Sequence, residues 1–79
     1  MRSPILVPPL GASPVVLSLW YAHTGDQVYA GDRLIEVMID GATFDIPAPA
    51  TGIFIEKQAW PDDTVTTGQV LGYVEAEGK

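Results

Sequence analysis

Glu36-Val37-Met38-Ile39-Asp40-Gly41-Ala42-Thr43-Phe44-Asp45-Ile46-Pro47-Ala48-Pro49 lies in the middle of a 79-residue chain and decides its fold class. Apolar runs flank the dipeptide Asp40-Gly41 on both sides. Asp-Gly in that setting is the strongest short hairpin signal, because both central residues of a type I′ turn need positive φ. Ile35, Val37 and Ile39 alternate with Glu36 before the turn; Phe44 and Ile46 alternate with Thr43 and Asp45 after it. A period of two turns one apolar face inward. The stretch therefore predicts strands over 33–39 and 42–47, with Phe44 and Ile46 facing the core.

Outward from the hairpin, the chain repeats itself. Gly25-Asp26-Gln27-Val28-Tyr29-Ala30-Gly31-Asp32-Arg33-Leu34-Ile35-Glu36-Val37 overlays Asp62-Asp63-Thr64-Val65-Thr66-Thr67-Gly68-Gln69-Val70-Leu71-Gly72-Tyr73-Val74 at an offset of 37 residues. Asp26/Asp63, Val28/Val65, Gly31/Gly68, Leu34/Leu71 and Val37/Val74 are identical pairs. Each copy reads as a short strand, a turn glycine and an apolar strand, and neither buries its apolar face alone. Two copies imply two sheets packed face to face about a pseudo-twofold axis. Further strands are expected over 4–8, 15–22, 52–58 and 70–76, with shorter ones over 27–29 and 64–66. Seven prolines and eight glycines punctuate these runs, so helix is nearly absent from the reading. Projected through the same offset, Gly41 falls on Gly78, which puts the hairpin tip and the C-terminus at opposite ends.

Composition narrows the functions open to this fold. At this length, 1–79 reads as a single domain, large enough to bury about 60% of its unfolded surface. Ten acids against four basic residues give a net charge of −6. Arg2, Arg33, Lys57 and Lys79 form no phosphate-binding patch, so nucleic acid is not an expected partner. The acidic surface favours a soluble monomer and partners with basic patches. Apolar runs all fall short of the roughly 20 residues that span a bilayer, and Pro4, Pro8 and Pro9 break the N-terminal one. The expected setting is cytoplasmic, away from membranes. Cysteine is absent, which removes disulfide and thiolate chemistry.

These features together resemble the lipoyl/biotinyl attachment domain. The matching residues run from Ile5-Leu6-Val7-Pro8 through Gly25-Asp26-x-Val28 with Gly31, Glu36-Val37-x-x-Asp40 and Ala42-Thr43. Ile46-Pro47-Ala48-Pro49 with Gly52, and Asp63-x-Val65 with Gly68, complete the set. Asp40-x-Ala42 is closer to the lipoyl than to the biotinyl branch. The resemblance implies an all-β fold: a flattened β-sandwich or barrel of two four-stranded sheets with internal pseudo-twofold repeat, the single hybrid motif. In that family the hairpin tip carries the lysine that is acylated with the cofactor. Here the corresponding position is Gly41, flanked by Asp40 and Ala42, and glycine has no amine to modify. Asp62 and the strand residues Lys57 and Gln58 also depart from the family pattern. Neither Lys57 nor Lys79 lies at a hairpin tip, so neither is an expected attachment site.

The resemblance thus implies a module that is not an enzyme, binds no cofactor, and acts as an interaction or structural domain. Its implied partners are proteins, the components of 2-oxo acid dehydrogenase complexes. A plain tight turn accounts for Asp40-Gly41 without any functional cause. The alternative, compatible with it, is a swinging-arm carrier whose lysine has been lost or substituted. A second alternative, the cofactor-free hairpin module of an envelope adaptor, usually has a helical insertion where this chain runs straight from Ala42 to Gly52.

Trp20 reads as core closure whose indole N–H escapes to a polar partner. Tyr21 and Trp60 fit an exposed partner anchor as well, and Trp60 stays open between the two. His23 has no nucleophile or acid motif beside it and reads as an exposed turn residue. Asp26, Asp32, Asp62 and Asp63 lack the ladder of a calcium loop and read as turn residues bonding their own backbone. Pro47-Ala48-Pro49 matches the family's link between halves better than a ligand for a proline-reading domain. No residue set makes a catalytic or metal site.

Overall fold

The computed structural model describes residues 1–77. Eight strands follow one another: β1 (Arg2–Leu6), β2 (Val15–Trp20), β3 (Gln27–Val28), β4 (Arg33–Ile39), β5 (Ala42–Pro47), β6 (Gly52–Lys57), β7 (Thr64–Val65) and β8 (Val70–Ala76). They form two four-stranded antiparallel sheets, β1-β8-β6-β3 and β5-β4-β2-β7. The expected all-β architecture is the observed one. Strands β4, β5 and β8 match the expected bounds, whereas β1 starts and ends two residues early.

The two sheets have one strand order, with β5, β4, β2 and β7 of one matching β1, β8, β6 and β3 of the other. The equivalence extends to single bonds. Gly25 N donates to Phe54 O at 2.7 Å, and 37 residues on Asp62 N donates to Leu17 O at 2.8 Å. Tyr21 N to Leu34 O and Gln58 N to Leu71 O repeat in the same way, both at 2.8 Å. Even the irregularities repeat, since β2 shifts register between Leu17 and Leu19 and β6 between Phe54 and Glu56.

Between the sheets lies one apolar core that includes Ile5, Leu17, Leu34, Ile35, Val37, Phe54, Leu71 and Val74. Ile35, Val37 and Ile46 point into it, as the alternation predicts. Phe44 does not follow. It shares the inward parity of Val37, its register partner, yet is 53% exposed. The reason is its place in the sheet. β5 is an edge strand, and bonds from the neighbouring turn reach only its base, through Gly31 N to Ala48 O and Ala48 N to Asp32 O. Ala42 through Asp45 run on past that support and are all exposed.

Glu77 N donates to Thr51 O, and Thr51 Oγ1 accepts from Ala30 N, close to the start of β4. The seven residues of β4 then run about 20 Å to the hairpin tip. Glu77, the last described residue, therefore lies at the end opposite the tip, as the repeat implies; Gly78 itself lies outside the described residues.

Candidate functional site at the hairpin tip

Ile39 pairs with Ala42, which leaves Asp40 and Gly41 as a two-residue turn. Their φ values are 49° and 77°, the pair of positive angles that defines a type I′ turn. The turn's twist matches that of the flanking strands, which is why Asp-Gly is favoured here. Both residues are exposed, and a Cβ built on Gly41 would meet no atom within 4 Å. Space therefore admits a side chain at position 41, but its backbone conformation disfavours every L residue by about 1 kcal/mol. The tip offers one carboxylate, that of Asp40, and no amine or nucleophile.

The other candidates do not converge on the tip. Trp20 is partly buried, stacks on Phe54 at 5.0 Å between centroids, and donates from Nε1 to Ala59 O at 2.9 Å. Trp60 is 55% exposed in the loop before β7, so it is not a core residue. Lys57 sits in β6 with its Nζ 5.5 Å from the centre of the Trp20 ring. Lys79 lies outside the described residues. His23 is exposed, with Nδ1 3.8 Å from Asp26 Oδ2.

Three of the four aspartates hold turns as expected. Asp26 accepts from His23 N at 2.8 Å, Asp32 from Tyr29 N at 2.9 Å, and Asp63 from Trp60 N at 2.9 Å. Asp62 has a different role. With φ of 75° it takes the left-handed conformation that its counterpart Gly25 takes at 98°. A short polar side chain tolerates that region better than most.

Tyr21 lies on the outer face of its sheet, near the end of β4 away from the tip. Its hydroxyl donates to Glu36 Oε1 at 3.2 Å and reaches Asp45 Oδ1 at 3.4 Å, while Arg33 stacks on its ring at 4.6 Å. Partial loss of water raises its pKa above 10, and the carboxylates of Asp45 and Glu36 push the same way. The alternation of Leu19, Met38 and Tyr21 opposite the core-facing positions was the signal that could have marked this outer face as a surface of interest.

The model of the biotin/lipoyl family, described as "Biotin-requiring enzyme", matches residues 3–75. The chain belongs to that family. It is 35% identical over 78 residues to the dihydrolipoyllysine-residue succinyltransferase component of the 2-oxoglutarate dehydrogenase complex of Bartonella vinsonii, covering 96% of this chain and 19% of that protein. It is 35% identical over 68 residues to the lipoamide acyltransferase component of the branched-chain alpha-keto acid dehydrogenase complex of Pseudomonas aeruginosa, covering 86% of this chain and 16% of that protein. The chain thus spans less than a fifth of the length of these curated relatives. Among solved structures, the lipoyl domain of the 2-oxoglutarate dehydrogenase complex of Azotobacter vinelandii superposes with a TM-score of 0.69. That match covers 99% of this chain and 96% of that one at 20% identity, a likeness of fold.

Proposed function

We propose that this chain is a lipoyl-like module that works without a cofactor, as an interaction or structural domain within or beside the acyltransferase component of a 2-oxo acid dehydrogenase complex. The observation that carries the reading is Gly41 at the hairpin tip, in a left-handed turn that suits glycine, at the position where the family's resemblance places an acceptor lysine. Similarity to the curated relatives supports that setting, and the intact sandwich supports a retained scaffold. The test is to isolate the native protein from its own cells and weigh it together with whatever it brings down. Unmodified mass with 2-oxo acid dehydrogenase subunits is the expected result. A lipoyl or biotinyl adduct on Lys57 or Lys79 overturns the reading.

A second reading, that of a carrier that has exchanged its lysine, is favoured by the open space around Gly41 and by the flanking Asp40 and Ala42. Under it, Gly41→Lys accepts lipoate from a lipoate ligase. A folded Gly41→Lys variant that stays unmodified counts against it.

A further inference from the structure

The internal repeat provides a control that shows which surface residues the fold itself requires. On the outer face of the β5-β4-β2-β7 sheet, Val16 and Met38 are register partners, Met38 pairs with Thr43, and Leu19 pairs with Glu36. Leu19 is 38% and Met38 42% exposed. Moved 37 residues along, Val16, Leu19 and Met38 become Ile53, Glu56 and Glu75, and Arg2 takes the place of Thr43 through its pairing with Glu75. On that second sheet Ile53 stays apolar and is 37% exposed, whereas Glu56 and Glu75 form ion pairs. Arg2 bonds Glu56 at 3.1 Å, and the N-terminal amine bonds Glu75. One scaffold thus carries carboxylates at these sites in one sheet and Leu19 and Met38 in the other. The sandwich does not need apolar residues there, and leaving them in water gains nothing for folding.

The charge around the apolar strip selects the partner. Glu36 lies beside Leu19 in register, Asp45 lies beyond it, and Asp40 follows Met38 by two residues at the tip. Arg33 is the one basic side chain on this sheet, and it is drawn to Asp45 at 3.6 Å and to the Tyr21 ring. Asp40 is exposed, and Glu36 is partly exposed and accepts the Tyr21 hydroxyl; neither has a basic side chain within ion-pair distance among the described residues. A sheet face is covered by a second sheet or by helices; here the second sheet takes the inner face, and a helix can lay its apolar stripe across the strands of the outer one. We infer that the outer face of the β5-β4-β2-β7 sheet, centred on Val16, Leu19 and Met38, is a docking surface for an amphipathic helix whose apolar stripe is flanked by lysine or arginine. The inference rests on the reading of this chain as a protein-binding module.

The probe is a synthetic amphipathic helix of leucine and lysine, titrated into the isotopically labelled protein, with a leucine–glutamate helix of the same pattern as control. The lysine helix should shift the amide resonances of Val16, Leu19, Glu36 and Met38 and leave those of Ile53, Glu56 and Glu75 in place. Met38→Glu copies the residue of the other sheet and keeps the fold; it should weaken binding about tenfold. Added salt should weaken binding further, and Glu36→Gln with Asp40→Asn should flatten that salt dependence. Equal binding of both peptides overturns the choice of a basic partner. Shifts on the other sheet, or none, overturn the surface. Broadening of Leu19 and Met38 with protein concentration alone gives the face to a second copy of this chain and likewise overturns the proposal. Each of these results is independent of the mass of the native protein, so this inference and the cofactor-free reading fail separately.

Discussion

Where the first half of the chain places Ile35, the second places Gly72, and where the first places Trp20, the second places Lys57. The backbone around these pairs is the same, down to matching hydrogen bonds and matching register shifts. Their packing is not. A Cβ on Gly72 would lie 2.4 Å from Glu56 O, 3.1 Å from Trp20 Cη2 and 3.2 Å from Phe54 Cε1. The indole of Trp20 reaches into the space that a side chain at 72 would need, so one large ring serves two positions. Lys57, the counterpart of Trp20, lies with its ammonium over that same ring. A core must be filled to density, but it need not be filled symmetrically. Backbone bonding sustains the repeat, while volume is shared out unequally between the halves.

The sharpest way to break this comparison is to force symmetry. Gly72→Ile copies Ile35, and Gly52→Val copies Val15, where a Cβ on Gly52 would lie 2.0 Å from Glu75 O. Backbone atoms cannot rotate away, so each change should cost about 3 kcal/mol or more. Urea midpoints compared with wild type measure it. A loss below about 1 kcal/mol would mean that the sheets separate easily and that the two halves are interchangeable.

Trp20 and its counterpart come next. Trp20→Ala removes the stack on Phe54 and the bond to Ala59 O, and should cost about 3 kcal/mol. Lys57→Ala loses only a partly exposed cation–π contact and should cost less than about 1 kcal/mol. Thermal unfolding of the two variants side by side decides whether the ring carries most of the joint packing.

Where the halves are alike, the effects should be alike. Asp26→Ala and Asp63→Ala each delete a carboxylate bond to a backbone N–H three residues upstream, and each should cost about 1 kcal/mol. A difference of more than about 0.5 kcal/mol between them would show that turn chemistry does not repeat with the backbone.

Smallest of all is the effect of Tyr21, whose outer-face cluster has no phenol counterpart at Gln58 in the other half. Its pKa is raised by partial desolvation and by the carboxylates of Asp45 and Glu36, so the neutral phenol belongs to the folded state. The resulting stability is fully present below pH 10 and is lost as pH climbs through the raised value. Above pH 10 the wild-type unfolding midpoint should fall more steeply than that of Tyr21→Phe. Parallel profiles would remove the carboxylate cluster from the stability of this sheet.

Much of this fold was legible in the residues. Asp40-Gly41 marked the tight turn, and the repeated Asp-x-Val with its following glycine marked both short strands and their turns. These features depend on φ and on bonds spanning a few residues, which the local sequence carries. Phe44 was placed wrongly because parity reports which side of a sheet a residue faces, not whether anything covers that side. Asp62 was read as a side-chain bond when its contribution is a backbone angle, although Gly25 at the matching position held the clue. Alternation alone could have put Leu19 and Met38 on the outer face, but their contrast with the ion-paired Glu56 and Glu75 emerges only when the two sheets are laid on each other.

The sequence by itself determined the strands, the I′ tip, the repeat and the lack of an amine at position 41, because each follows from short-range conformational preference or from side-chain chemistry. Only the tertiary structure decided that Trp20 lies against Gly72, that Phe44 stays in water, and that ion pairs at Glu56 and Glu75 stand on one sheet where Leu19 and Met38 stand on the other. Those outcomes depend on which surface arrives opposite each strand, and that is set by the packing of residues distant in the chain.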